Sequence, residues 1–178
     1  ASHMLHMPTH IDAAVGDYRR GIDSNHQAML ADDIYFARET GTIMYTAYRV
    51  HYICAKLYSA MMSGRFSDAI SAAEKLEKVI YPQVLAIKSP PMADFIESFV
   101  GSKAHVLVRF GRWEEVLSLE LPTDRDTYCV TTAIIYYTRG LAFSALGRIA
   151  EAENAQVEFE AARRAVPSTR LNSIPCKE

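Results

Sequence analysis

Residues 133–167 read AIIYYTRGLAFSALGRIAEAENAQVEFEAARRAVP. Apolar residues recur at helical spacing on both sides of Gly147, which suits the left-handed residue that ends a helix, and Pro167 closes the second periodic segment. Gly140 and Ala152, seven residues before and five after the turn glycine, are small enough for two helix backbones to approach closely, while Phe143 fills the space beside them. The stretch predicts a helix, a tight turn and a second helix folded back on the first.

The same turn recurs upstream as GDY at Gly16, GRF at Gly64 and GRW at Gly111, so that the turn glycines are 48, 47 and 36 residues apart. Each follows one apolar helical pattern and precedes another, and repetition of one unit decides the architecture before any local reading does. The pattern predicts eight helices in about four hairpins, over 8–15, 17–38, 43–63, 65–80, 91–110, 112–120, 125–146 and 148–166. No strand pattern competes.

Small residues flanking a turn glycine at these offsets resemble the tetratricopeptide repeat (TPR), whose standard period is about 34 residues. The last unit matches best; the second has Ala69 and Ala73 in place but Leu57 where a small residue is usual, and the third has Ala104 with a short second helix stopped by Pro122. The segments LHMPTHIDAAVGDYRRGIDSN and YRVHYICAKLYSAMMSGRFSDAI resemble, more specifically, the middle of longer, poorly characterised TPR-containing proteins of fungi and bacteria. The resemblance implies an all-α, right-handed TPR-like solenoid, and that the chain is either a piece of a longer protein or a shortened relative of the family. It implies no reaction. Residues 1–7 are expected to be a tag remnant or lead-in, 8–167 a single helical domain and 168–178 a C-terminal tail.

The composition is that of a folding chain: 49% of the residues are hydrophobic and 22% charged. A net charge of −2 and the lack of a basic run exclude a nucleic-acid footprint. Three scattered cysteines, Cys54, Cys129 and Cys176, make no CxxC and suggest a reducing compartment, and no apolar stretch is long enough to span a membrane. A cytoplasmic protein is the expectation.

If the TPR resemblance holds, the first helix of each hairpin lines a concave face, and the exposed stripe lies 13, 10, 6 and 3 residues before each turn glycine. That stripe contains His51, Cys54, Tyr58 and Met61 in the second unit, His105 in the third, Tyr137 and Leu141 in the fourth, and His3, His6 and His10 in the first. Pro8 disfavours helix in the residue before it, so the first helix is expected to begin near Pro8, which secures His10 better than His6 or His3. The leading expectation is a module that binds a protein or peptide segment through His10, His51, Cys54, Tyr58, Met61, His105, Tyr137 and Leu141. A chaperone-type carboxylate clamp is disfavoured, because apolar and aromatic residues stand where Lys, Asn and Arg would be needed. The alternative is a Zn²⁺-binding protein or metal-dependent enzyme with His6, His10, His51 and Cys54 as ligands and Asp12 as the group that orients one of them. No catalytic motif is present. Exposed apolar ends make a homodimer the expected assembly.

Overall fold

Four glycines, Gly16, Gly64, Gly111 and Gly147, have φ values of 79°, 71°, 66° and 72°, in the left-handed region that side chains rarely enter. At each, the following residue's N–H reaches back to a carbonyl of the helix just ended: Asp17 to Asp12 at 2.8 Å, and Arg65 to Ala60, Arg112 to Leu107 and Arg148 to Phe143 at 2.9 Å each. This is the Schellman closure. In three of the four turns the arginine after the glycine also pairs with an acid three residues on, Arg65 with Asp68, Arg112 with Glu115 and Arg148 with Glu151. In the first turn Asp17 takes the arginine's place, and its carboxylate accepts the N–H of Arg20 instead.

The computed structural model describes residues 2–38 and 43–170. Cys176 and most of the expected tail lie outside the described residues. By their internal contacts the residues fall into two compact units, Ala1–Tyr81 and Pro82–Glu178. Among the described residues the regular structure is helical, apart from one isolated bridge between Lys88 and Pro91, and no helix is long and apolar enough to cross a membrane.

The first unit comprises α1 (Ser2–His6), α2 (Thr9–Val15), α3 (Tyr18–Phe36), α4 (Ile43–Met62) and α5 (Phe66–Val79). Helix α3 packs on α1, α2 and α4, and α4 packs on α5. Small residues bring them close: Ala60, Ala69, Ala72 and Ala73 are buried, and a Cβ on Gly21 would lie 2.7 Å from Ser59 Oγ. The chain before Pro8 is more ordered than its sequence predicts. Helix α1 forms ahead of the proline, the chain turns at Met7 and Pro8, and α2 starts at Thr9 with the N–H groups of Ile11 and Asp12 both 3.0 Å from the Pro8 carbonyl. At the start of a helix the missing proline N–H costs nothing.

The second unit comprises α6 (Pro82–Leu85), α7 (Met92–Ile96), a 3-10 helix (Glu97–Gly101), α8 (Ser102–Arg109), α9 (Trp113–Leu117), α10 (Cys129–Ala145) and α11 (Ile149–Ala165). The single helix predicted over 91–110 is in fact three segments. Their break serves α10: buried Glu97 turns its carboxylate onto the N–H groups of Val130 and Thr131, at 3.2 and 2.9 Å, capping the start of α10 from a distant part of the chain. Gly101 lies against Ile134, where a Cβ would come within 2.7 Å of Cδ1. Helix α10 also begins later than predicted, at Cys129, because Asp124 and Thr127 close a turn before it. Against α11, the ideal Cβ position of Gly140 is 3.7 Å from Ala155 and 3.9 Å from the Ala152 carbonyl, the close approach expected of those small residues.

Candidate functional site

Within the first unit, α1, α2 and α4 each contribute one histidine to a common point. His6, His10 and His51 each offer a ring nitrogen, and these nitrogens all lie within 4.8 Å of one another. His6 Nε2 stands 3.1 Å from His10 Nε2, and the His6 and His51 rings are 4.3 Å apart edge to face. The turn at Met7 and Pro8 thus keeps the i, i+4 relation of His6 and His10 although it interrupts the helix.

His6 is fully buried and its orientation is fixed by Asn25, which is also fully buried. The Asn25 amide group donates to the Gly21 carbonyl at 2.7 Å and to Thr9 Oγ1 at 2.9 Å, leaving its carbonyl oxygen 2.7 Å from His6 Nδ1. The Gly21 carbonyl can only accept, so the amide cannot be turned around. His6 Nδ1 must therefore carry the proton, and its Nε2 lone pair accepts from His10 Nε2–H at 3.1 Å, the place an ion would take. This is how a metal-ligating imidazole is usually held: one nitrogen donates to a carbonyl oxygen and the other is left free for the ion.

Burial favours the neutral form of His6 and His51. Burial lowers the pKa of His6 below its ordinary value against the opposing hydrogen bond that His6 donates to Asn25, and neighbouring His10 and His3 lower it further. Burial also lowers His51, with His6, His10 and His3 adding to the effect. Neutral imidazole is the form that ligates. Two nitrogens bound to one tetrahedral Zn²⁺ are about 3.3 Å apart, so the His6–His10 pair is already near that spacing. The widest separation in the triad would have to close by roughly 1.5 Å, which the exposed His10 and His51 side chains have room to do.

The other residues expected in a metal site are placed differently. Cys54 is free and half-buried, stands outside the triad, and burial pushes its thiol up to about 12, far from a ligating thiolate. Asp12 is buried but faces Arg20, Nε to Oδ1 3.5 Å, and the orienting role expected of it is filled by Asn25. His3 lies beside the triad, its ring 5.8 Å from that of His6 and 6.4 Å from that of His51.

The residues expected to line a partner groove divide between the units. In the first, Tyr58 is exposed with its ring edge-on to Tyr18 at 6.2 Å, and Met61 is half-buried on the same helix. In the second, His105 and Tyr137 line a cavity of about 420 Å³ with Phe99, Ile134 and Phe159. Tyr137 and Leu141 also border a second cavity of about 390 Å³ between α10 and α11. His105 stands at the exposed mouth, and its apolar surroundings lower its pKa. Comparison with family models, with curated proteins and with solved structures gives no match to this chain.

Proposed function

We propose that the first unit is a metal-binding module in which His6, His10 and His51 hold a divalent ion of the zinc type. The observation that carries this reading is the Asn25 network. A buried histidine whose tautomer is locked so that its unprotonated nitrogen faces a group with two other histidines has the donor set that Zn²⁺ requires, the ion replacing the hydrogen bond that this nitrogen now accepts from His10. Three imidazoles select zinc, copper, nickel or cobalt over the hard cations, which prefer oxygen.

Elemental analysis of purified protein, with thermal melts before and after chelation, tests it. The expected outcome is about one equivalent of metal and a melting temperature lowered by the chelator, since an ion that binds only the folded form stabilises it by about 2.7 kcal/mol at a hundredfold excess over its dissociation constant. His10→Ala and His51→Ala should abolish both effects while the helical circular-dichroism signal persists, because both side chains are exposed. Protein that takes up no zinc, and melts identically with and without chelator, rules the module out.

The TPR-like solenoid with a partner groove is a second reading, supported by the 420 Å³ cavity of the second unit. Its walls are mainly aromatic and aliphatic, with Ser98, Ser102 and His105 as polar groups and no Lys or Arg, suited to a mixed or apolar helical segment rather than to a carboxylate. An amphipathic helical peptide carrying Leu and Phe anchors should shift the NMR signals of Phe99, Tyr137 and Phe159 in the intact protein and lose affinity about tenfold in Tyr137→Ala. Unchanged spectra at millimolar peptide would dismiss it.

A further inference from the structure

Among the described residues no fourth protein donor joins the histidine triad. Helical spacing brings Cys54 onto α4 three residues after His51, yet its sulfur is outside the group and its thiol is held protonated. Asp12 is engaged by Arg20. Asp32 is buried on α3, its Oδ2 3.9 Å from Arg49 Nε, and it is not among the groups that converge with the triad. Within the triad His6 forms the buried floor, and His10 and His51 are the exposed rim that opens to solvent.

Resting on the reading that the triad binds an ion, we propose that this ion keeps one coordination position open to solvent, filled by water at rest and by small anionic donors in exchange for it. Structural zinc sites close their fourth position with a protein side chain, whereas three protein ligands with an accessible fourth corner mark sites that take an exogenous ligand. The exchange is a simple substitution: an anion's lone pair replaces that of water, which leaves intact, and nothing is oxidised or reduced. The three neutral imidazoles leave the ion its full positive charge, which favours anions over neutral donors at the open corner.

Among the described residues, His3 is the imidazole beside the triad best placed to compete for that corner. Its ring lies next to those of His6 and His51, and its Nδ1 is buried without a hydrogen-bond partner. It is nevertheless not one of the nitrogens that converge.

Cobalt(II) substitution of the intact protein, read by visible absorption during titration with sodium azide, tests the proposal. The expected result is a set of d–d bands that appears with one equivalent of cobalt, lacks a thiolate-to-cobalt charge-transfer band, and shifts saturably as azide is added. Bands that form but do not respond to azide overturn the open position while leaving metal binding intact. If His3→Ala then restores the azide response, His3 is the fourth ligand; a charge-transfer band lost in Cys54→Ser identifies the sulfur instead, and either finding overturns the proposal. Failure of cobalt to bind at all is a failure of the metal module itself, and is distinguishable because no bands appear.

Discussion

Asn25 determines more of the candidate site than any histidine does. Replacing it by Ala would leave Thr9 Oγ1 and His6 Nδ1 without the Asn25 side chain in a buried environment, while the Gly21 carbonyl keeps its helical bond to the backbone of residue 25. Loss of such buried hydrogen bonds costs about 1–3 kcal/mol per group left unpaired. Asn25→Ala should lower stability by at least that amount in urea titrations and weaken Zn²⁺ binding about 10- to 100-fold by calorimetry, as for other groups that orient a metal ligand. The histidines themselves are legible in the sequence, because helical counting from the turn glycines puts His6, His10 and His51 on one stripe. Asn25 is not, since its role depends on a contact with a residue 19 positions away on another helix. Cys54 misleads for the same reason: spacing places it near His51 in projection, but only the packing around α4 decides that its sulfur is withdrawn.

At the level of the helix and its ends, local demands read well and distant ones do not. Each turn glycine is recognisable because a positive φ and a tight helix return are requirements of a few adjacent residues. The broken segment around Glu97 is invisible to periodicity, because the N–H groups it caps lie 33 and 34 residues downstream. Burial raises the Glu97 pKa above its ordinary value of 4.5, against hydrogen bonds from Thr131 and Val130 and the charge of Arg170 that lower it. The folded state therefore binds this proton more tightly than the unfolded chain does. The resulting stabilisation is fully present below pH 4.5 and is lost as pH rises through the folded value. Urea midpoints measured upward from pH 4.5 should show this decline, and Glu97→Gln, which does not titrate, should remove that part of the slope.

Over the whole chain, the all-helical class follows from the repeated turns, while the division at Tyr81 and Pro82 has no matching signal in the repeat pattern. The apolar surface is also uneven. Met4, Ile11 and Val15, on α1 and α2, are each about 70% exposed, an apolar face on the first two helices. Helical repeats bury such faces against a neighbour, and an uncovered one promotes association. Sedimentation at rising concentration should therefore give masses above 19.9 kDa, and Ile11→Glu with Val15→Glu should return the monomer without changing helix content.

The distribution of the triad over α1, α2 and α4 has one more consequence. Pro8 leaves α1 and α2 as separate segments, and His51 lies 45 positions beyond His6. An ion joining these points would act as a reversible cross-link around a long loop, restricting the unfolded chain as a disulfide does, by about 4 kcal/mol for a loop of that length on a chain-entropy estimate. In a chain with scattered cysteines, such a staple would make the fold of the first unit responsive to the supply of metal.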